Sequence, residues 1–570
     1  MKSLKWWQKV VFYQIYPRSF YDLNGDGIGD IPGILRKLDY LKDLGIGAIW
    51  LSPHYPSPMA DCGYDVADYR SVAPEYGTIK DFQFLLKEAH KREIHIVLDM
   101  VLNHTSDQHA WFQESRSSKD NPKRDWYIWK KGRGDAPPNN WYSTFGGSAW
   151  ELDSITGEYY YHFFFKEQPD LNWNNPEVKK AMFDVLRYWL DMGVDGFRLD
   201  AIGTIFEDPR YLDHQAPFNV EDYYKICRSA DTDEKRKALP AQWEEMFHFQ
   251  HDQPGIHDLM RELRNLTNEY NDRILIGETD DLSFYGKGDD ELHMVFNFPL
   301  MNSPQLTPGV VKENQLARIS GMPTGTWAAN TLGNHDTPRM FSRYGDRVHD
   351  RELARLHLTM ILMLKGTPFL YNGEEIGMTN YLIDDPKLFM DWIGTRAYQL
   401  EKELMKASEA DAVREGAREG RDKCRTPVHW RNAPNAGFCP PGIKPWLPIN
   451  PNYAEGINVD DQAGKPDSLL SFYKKIIHLR QSRQELTLGE YRPIETSQSE
   501  VLAFERTIPG KKTAVLLNFS GYPVKLTSKN FVYTLRVLFS NQWEEAEKIL
   551  LPEISLNPFA ILIGEILNSR

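Results

Sequence analysis

Acidic side chains close several short apolar runs in this 570-residue chain, next to histidine or arginine. Run by run, the polar residues are Asp99, Asn103 and His104; Arg198 and Asp200; Glu278; and His335 and Asp336. A single acid after a strand is more often a helix cap or turn residue than a catalyst. Four acids in one place would cost electrostatic energy that a structural role rarely justifies, so the pattern predicts a catalytic site.

Cleavage of a glycosidic bond is the chemistry that uses acids in this way. A retaining enzyme needs one carboxylate as nucleophile and a carboxylic acid about 5 Å away that protonates the leaving oxygen. A third carboxylate can hold the sugar hydroxyls while charge develops on the ring. Arg198 lies two residues before Asp200 and points to the same side of its strand, so we expect it to favour the ionised form of Asp200.

The elements that must position these residues alternate between strand and helix. The strand candidates are 11–16, 48–52, 95–101, 196–201, 274–278, 293–298, 328–332 and 368–371, and the main helix candidates are 31–44, 78–92, 176–192, 256–270 and 351–364. Eight such units predict an α/β fold of the (β/α)8 TIM barrel type. An open doubly wound sheet gives similar alternation but rarely needs eight units. The carboxyl ends of the barrel strands share one mouth, where the acids would meet.

Two further parts are predicted around the barrel. The long aromatic connection after the third strand predicts an inserted lobe at 104–172. Alternating runs predict a C-terminal antiparallel β domain at 495–570, which leaves 1–103 and 173–494 for the barrel. Phe145 and Phe164 of the lobe are expected either to stack on sugar rings at the acceptor side or to pack the lobe core.

Composition limits the partners. Lys and Arg number 67 against 80 Asp and Glu, a net charge of -13, and there is no basic tract, so no nucleic-acid partner is expected. No apolar run approaches the roughly 20 residues of a membrane span, and the N-terminal run is too short for a signal peptide, so we expect a cytoplasmic protein without a membrane partner. The four cysteines form no CxxC pair and are expected to be reduced. The sequence makes no prediction of oligomeric state.

Six stretches occur in a specific order and spacing: VFYQIYP (11–17), DMVLNH (99–104), QPDLN (168–172), GFRLD (196–200), GE (277–278) and NHD (334–336). Together they resemble glycoside hydrolase family 13, the α-amylase clan, and within it the oligo-1,6-glucosidase and α-glucosidase branch. The QPDLN stretch is typical of that branch rather than of the α-amylases. The resemblance covers almost the whole chain and becomes faint after about residue 495.

The resemblance implies Asp200 as nucleophile, Glu278 as general acid/base and Asp336 as stabiliser of the oxocarbenium-like state. It also implies the residues of the first sugar subsite: His104 and His335 on the glucose hydroxyls, Tyr64 as an aromatic platform, Arg198 beside the nucleophile, and Asp61 with Arg425 as a pair that clamps the glucose 4-hydroxyl. A pocket closed by that pair would make the enzyme exo-acting. The structural alternatives are packed histidines and a surface salt bridge.

A loop near the N-terminus alternates oxygen-bearing side chains with glycines over residues 22–30, a pattern that folds around a hard cation. Gly33 stands at the twelfth position, so the loop is no EF-hand. It resembles the calcium loop of the glucosidase branch. That implies a structural Ca²⁺, with Mg²⁺ as the alternative ion, bound by Asp22, Asn24, Asp26, the Ile28 carbonyl and Asp30. A metal-free loop of Asx turns is the other interpretation.

The predicted function is a retaining, exo-acting α-glucosidase that acts on small α-glucosides, together with transglucosylation. Ala201 follows the nucleophile; in this branch Val there accompanies α-1,6 preference and Ala or Thr accompanies α-1,4, so α-1,4 bonds are favoured. The alternatives are a glucoside isomerase of the trehalose synthase or sucrose isomerase type, a trehalose-6-phosphate hydrolase, and a non-catalytic binding subunit. No Arg-Leu-Asp-Arg-Asp stretch follows residues 334–336, which counts against a sucrose isomerase.

Overall fold

A computed structural model of the protein describes residues 4–230, 232–288, 290–527, 533–551 and 553–569. Eight parallel strands form a barrel: β1 Phe12–Ile15, β2 Ala48–Leu51, β3 His95–Val101, β4 Gly196–Asp200, β5 Ile274–Gly277, β6 Met294–Val295, β7 Ala329–Thr331 and β8 Thr367–Tyr371. Neighbouring strands pair in parallel, β8 pairs with β1, and a parallel bridge from Phe296 to Ala329 joins β6 to β7. The predicted TIM barrel is confirmed.

The barrel strands are buried on both faces, since every residue of β1, β2 and β4 is buried. Parallel strands covered in this way are near-continuous apolar runs, so a charged residue such as Arg198 or Asp200 stands out in the sequence. The helix Pro176–Met192 shows how the outer layer forms. Asn175 caps its first turn, Pro176 occupies its first position, and Gly193 ends it in a left-handed conformation at φ 106°.

The α-helices of five or more residues are Ile31–Arg36, Leu38–Leu44, Ile79–Lys91, Ala110–Ser117, Pro176–Met192, Val220–Ser229, Asp233–Phe247, Ile256–Asn268, Pro308–Gly321, Met340–Tyr344, Asp350–Met363, Trp392–Glu403, Glu409–Glu419, Leu469–Ser482 and Gln484–Leu488. The single helix predicted over 31–44 is divided in two at Lys37, whose backbone (φ -104°, ψ 5°) leaves the helical region.

The connection after β3 contains a three-stranded antiparallel sheet of Trp129–Lys130, Trp150–Leu152 and Tyr159–Tyr161. The core beside this sheet includes Trp141 and Tyr161, and also Met246 and Phe247. Those last two residues belong to the helix Asp233–Phe247, which follows β4 and lies outside the range 104–172. The segment after β4 therefore packs onto the inserted lobe.

The C-terminal part is antiparallel. Its six-stranded sheet consists of Glu490–Pro493, Val501–Ile508, Lys511–Asn518, Tyr533–Ser540, Lys548–Leu550 and Ile561–Ser569, beside a pair formed by Val524–Thr527 and Glu553–Leu556. The buried Arg506 donates to the carbonyl oxygens of Met363, Leu364 and Gly489, which ties this sheet to a barrel helix. Among the described residues, no helix is long and apolar enough to cross a membrane.

Candidate active site

Arg198 lies at the centre of the acids at the barrel mouth. Its Nη1 donates to Asp200 Oδ1 at 2.5 Å and to Asp99 Oδ1 at 2.8 Å, and its Nη2 lies 2.6 Å from Glu278 Oε1. The arginine side chain is only 1% exposed. One buried guanidinium therefore holds three carboxylates, which come from β3, from β4 and from the residue that follows β5.

Asp200 and Glu278 contact different nitrogens of this guanidinium. Burial raises the pKa of Asp200 well above its usual range, and the negative charge of Glu278 raises it further. Arg198 lowers it, as the sequence predicts, but the other two influences are larger. The second oxygen of Glu278 accepts a hydrogen bond from the Ala201 backbone N–H at 2.9 Å. Glu278 is thus held by the Arg198 guanidinium through one oxygen and by a backbone N–H through the other.

Asp336, after β7, has a different environment. Its Oδ1 accepts from Arg425 Nη2 at 2.6 Å and lies 3.4 Å from Arg421 Nη1, and its Oδ2 lies 3.2 Å from His335 Nε2. Burial raises the pKa of Asp336, but His335 and the two guanidinium groups outweigh it, and the pKa lies below its usual value. Asp336 therefore favours the ionised form, in contrast to Asp200.

Tyr64 connects the two groups of acids. Its hydroxyl lies 3.0 Å from Asp99 Oδ2 and 2.7 Å from His335 Nε2, and its ring stacks on the His335 ring at 5.4 Å. Gln14 Nε2 donates to His335 Nδ1 at 2.7 Å, so the hydrogen of the imidazole is assigned to Nε2. Burial lowers the pKa of His335 to about 3, which leaves the ring neutral. The predicted platform and histidine are thus in direct contact.

Asp61 and Arg425, which the resemblance implies as the pair that clamps the glucose 4-hydroxyl, have different ion-pair partners in the structure. Asp61 Oδ1 pairs with Arg421 Nη2 at 2.7 Å, whereas Arg425 donates from Nε to the His335 carbonyl at 2.8 Å and from Nη2 to Asp336. Four residues separate the two arginines, and Arg421 lies immediately before the short helix Asp422–Arg425. Arg421 is therefore the end of this segment that reaches Asp61.

Sequence reasoning missed the role of Arg421, which lies four residues before the predicted Arg425. Asp391 fixes the arginine with three hydrogen bonds: it accepts from the Arg421 backbone N–H at 2.7 Å, from Nε at 3.0 Å and from Nη2 at 2.6 Å. Asp391 is fully buried before the helix Trp392–Glu403. Its position in a charged helical region gave no signal of this contact, which exists only in three dimensions.

The remaining subsite residues lie on the lobe side. Gln168 Nε2 donates to Asp61 Oδ2 at 3.2 Å and lies 2.9 Å from His104 Nε2. Burial lowers the pKa of His104 to about 4. The Phe164 ring meets the His104 ring edge-on at 5.1 Å, whereas Phe145 stacks on Phe165 at 4.1 Å. Phe164 is thus beside the predicted site. Phe145 contacts the Phe164 ring, with 5.9 Å between ring centroids.

The predicted metal loop is folded by its own hydrogen bonds. The two oxygens of Asp22 accept from the backbone N–H groups of Gly25 and Gly27, and those of Asp30 accept from residues 23, 24 and 33. Asn24 and Asp26 accept from backbone two residues further on. No group of three His, Cys, Asp or Glu residues in the described part of the chain is arranged to hold a metal ion. Calcium binding stays a prediction.

Comparison with known proteins shows which family this chain belongs to. The family model described as alpha amylase, catalytic domain, matches residues 14–489. The oligo-1,6-glucosidase of Parageobacillus thermoglucosidasius is 39% identical over 98% of this chain and 99% of its own. The chain belongs to the α-amylase family. Membership makes it a glycoside hydrolase, and the retaining mechanism is general to the family.

Two further relatives extend the range of activities. The α-glucosidase of Schizosaccharomyces pombe is 37% identical over 98% of this chain and 97% of its own. The crystal structure of the trehalulose synthase MutB from Pseudomonas mesoacidophila MX-45 has a TM-score of 0.87 and 37% identity, and the match covers 99% of this chain and 100% of that one. Family members of near-equal similarity therefore include a hydrolase and a synthase.

Proposed function

We propose that this glycoside hydrolase is an exo-acting α-glucosidase that removes one glucosyl unit from the non-reducing end of a small α-glucoside. The observation that carries the proposal is the contact of Arg198 with both Asp200 and Glu278 at 2.5 and 2.6 Å. That contact brings two carboxyl groups to one guanidinium, and this supports the closely spaced pair of acids that a retaining mechanism uses.

Asp200 Oδ attacks the anomeric carbon and forms a glucosyl ester, while Glu278 gives its proton to the leaving glycosidic oxygen. In the second step Glu278 takes a proton from water, and the resulting hydroxide oxygen displaces Asp200 from the anomeric carbon, which retains the α configuration. Asp336 stays ionised and stabilises the positive charge of the transition state. A sugar hydroxyl in place of water gives transglucosylation.

The closed end of the pocket supports exo action. Asp61 and Arg421 form an ion pair at 2.7 Å beside His104, and both side chains are at most 12% exposed. Their charged groups can each bond the 4-hydroxyl of a terminal glucose, and a further sugar at that position would have to break the pair. We call the space between this ion pair and the three catalytic acids the glucose pocket.

A glucoside isomerase is the second candidate, because a trehalulose synthase is as similar to this chain as the hydrolases are. The two functions share the glucosyl ester and differ in what attacks it. A hydrolase admits water, whereas an isomerase retains the released sugar and reattaches it at another hydroxyl. The chemical steps at Asp200 and Glu278 are therefore the same, and only the products separate the candidates.

A substrate panel tests the proposal: maltose, isomaltose, sucrose, trehalose, trehalose 6-phosphate and p-nitrophenyl α-glucoside, with the products followed by NMR. We expect α-glucose from the non-reducing end as the first product, at a higher kcat/KM for maltose than for isomaltose. A disaccharide isomer from sucrose would favour the second candidate. Release of β-glucose would contradict a retaining mechanism.

The proposed calcium is structural, since the loop at 22–30 contains no residue of the glucose pocket. Its donors would be the oxygens of Asp22, Asn24, Asp26, Ile28 and Asp30, which suit a hard cation. Binding to the folded state alone would raise stability by mass action. A thermal melt with and without chelator should differ by a few degrees, and an unchanged melt would contradict this proposal.

A further inference from the structure

A cavity of about 950 Å³ lies where the barrel meets the C-terminal sheet, and we call it the junction cavity. The barrel lines it with residues of three helices, Pro308–Gly321, Met340–Tyr344 and Asp350–Met363. The C-terminal part lines it with residues 494–503 and Phe519. No residue of the glucose pocket belongs to this lining. The volume, and the position between two packed parts of the chain, are typical of small-molecule sites.

His357 is a buried polar residue of this lining that has no hydrogen-bond partner. It lies one helical turn after Leu353, which also lines the cavity, and it is only 4% exposed. Neither ring nitrogen bonds a described residue, yet both retain accessible surface. Because His357 lines the cavity, that surface is presented to the cavity. A buried polar group normally has a partner, so these nitrogens are available to a ligand.

The surroundings of His357 indicate what kind of group it would bind. The Tyr344 ring meets the His357 ring edge-on, with 5.5 Å between centroids, and the Phe519 ring lies 6.0 Å away. Burial lowers the pKa of His357 to about 4, so the imidazole is neutral at ordinary pH. A neutral imidazole has one donor and one acceptor nitrogen, and a hydroxyl group can bond either. His357 therefore favours a hydroxylated ligand.

Arg343 adds a positive charge that no described residue balances. Its guanidinium carbon lies 5.4 Å from the centroid of the Tyr344 ring, which is the ring that His357 also contacts. The half-buried side chain forms no ion pair or hydrogen bond with a described residue. The other cation of the lining, Lys312, is neutralised by Glu495, whose two oxygens lie 2.6 and 2.7 Å from its Nζ. Arg343 is thus available to an anionic group of a ligand.

The start of the helix Pro308–Gly321 also favours an anion. Thr307 caps this helix through its hydroxyl, and the N–H of Gly309, in the first turn, has no acceptor within the helix. The helix N-terminus therefore carries a partial positive charge where Pro308 and Gly309 line the cavity. Glu500, the second acid of the lining, accepts from a tyrosine hydroxyl at 2.9 Å and forms no ion pair with Arg343.

We propose that the junction cavity binds a small sugar that carries an anionic group, either a phosphate or a carboxylate. The anionic group pairs with Arg343, and a sugar hydroxyl bonds His357. One hexose derivative is long enough to reach both residues, since each lies within 5.5 Å of the Tyr344 ring. The choice of glucose derivatives as probes rests on the proposed function, which makes glucose the product of the enzyme.

Equilibrium dialysis of the full chain with labelled glucose 6-phosphate and labelled glucuronate tests the proposal. Excess unlabelled glucose is present throughout and occupies the glucose pocket. We expect at least one probe to bind, with one molecule per chain. Arg343→Gln removes the charge and should weaken binding at least about tenfold. Arg347→Gln makes the same change at an exposed arginine outside the lining and should bind as the wild type does.

His357→Phe tests the part of the site that would recognise the sugar. The substitution keeps a ring between Tyr344 and Phe519 but removes both nitrogens. Binding of the sugar probe should weaken about fivefold, because one hydrogen bond is lost. Binding of labelled inorganic phosphate, which has no sugar, should be weaker in the wild type and should not change in this variant.

The outcomes separate this proposal from the proposed function. No binding of either probe, or equal binding by Arg343→Gln and Arg347→Gln, would overturn the site and leave the glucosidase standing. Unchanged binding of the sugar probe by His357→Phe would overturn the assignment of a sugar. A wild-type chain that binds a probe but cleaves no α-glucoside would support the site and contradict the proposed function. If a variant fails to fold by circular dichroism, a wild-type crystal soaked in the probes decides: density beside Arg343 supports the proposal, and an empty cavity overturns it.

Discussion

The two ends of the barrel each hold a buried group of charges, and they are built in opposite ways. At the mouth, Asp99, Asp200 and Glu278 share one guanidinium. At the base, a single acid, Asp195, has several partners. Its Oδ2 accepts from His90 Nε2 at 2.7 Å and from the Ile96 N–H at 2.8 Å, while Oδ1 lies 3.1 Å from His95 Nδ1 and 3.5 Å from Arg273 Nη1.

The pKa values follow this difference. Burial raises the pKa of Asp99 to about 6 and that of Asp200 further, with Glu278 adding to both. Burial also acts on Asp195, but its histidine partners outweigh it and lower the pKa below the usual value. An acid with a raised pKa costs stability at neutral pH, and one with a lowered pKa contributes it. The acids at the mouth therefore lower the stability of the fold at neutral pH, and Asp195 at the base raises it.

The largest effect is expected from Asp200→Asn, which removes the proposed nucleophile. The kcat for p-nitrophenyl α-glucoside should fall at least about 10⁴-fold. Because one crowded acid is removed while Arg198 keeps two partners, the free energy of unfolding in urea should rise by about 1 kcal/mol. Asp195→Asn is the control with the same chemical change at the base. Near-normal turnover of Asp200→Asn would contradict the assignment of Asp200 as nucleophile. A large loss of stability would contradict the claim that the acids at the mouth destabilise the fold.

Arg421→Ala tests whether the positive charge of Arg421 is needed to balance the buried acids Asp61 and Asp391. Asp61 loses its ion pair and the buried Asp391 is left without its guanidinium, so kcat/KM should fall about 100-fold, mostly through KM, and stability should fall by about 3 kcal/mol. Steady-state kinetics and urea unfolding measure both. Arg418→Ala, an exposed arginine in the preceding helix, should change neither. Equal effects of the two substitutions would mean that the loss is not specific to the contacts of Arg421.

The contribution of the base should appear in the pH dependence of stability. Asp195→Asn should lower the free energy of unfolding by about 2 kcal/mol at pH 7. Since the folded pKa of Asp195 is depressed, its contribution is present above the unfolded value of about 4 and is lost as the pH falls towards the folded value. Urea unfolding curves of wild type and variant should therefore converge below about pH 4. A constant difference across that range would argue against this role of the charge.

The smallest effect concerns Ala201, which adopts a left-handed backbone (φ 43°) directly after Asp200. Such a conformation is strained for any residue with a Cβ. This strain lowers the stability of the mouth in addition to the buried acids. Ala201→Val should shift the ratio of kcat/KM for maltose to that for isomaltose about tenfold towards isomaltose. Ala201→Thr has the same branching and hence similar strain, but should leave the ratio nearly unchanged. An unchanged maltose to isomaltose ratio in Ala201→Val would contradict the proposal that Ala201 favours α-1,4 bonds.

Much of the fold could be predicted because parallel barrel strands are buried on both faces. Their apolar runs are visible in the sequence, and β3 has the bounds predicted for it. Arg198 and Asp200 lie in one recognised motif, and the resemblance implied that Tyr64 and His335 belong to one sugar subsite. What could not be predicted is which of two arginines reaches Asp61, because four residues of backbone decide it.

The packing of the segment after β4 was equally invisible. Trp243, Met246 and Phe247 are a few apolar residues within a strongly charged stretch. Only the structure shows that they cover the lobe core. The lobe boundary at 104–172 therefore describes a segment of sequence and omits part of the packed unit.

That shared core has a consequence for engineering the cleft. Two insertions, one after β3 and one after β4, supply aromatic residues to the same interior. Exchanging either insertion alone with that of a homologue would uncover apolar surface on the one left behind. To transfer the substrate specificity of a homologue to this barrel, the insertions after β3 and β4 must therefore be exchanged together.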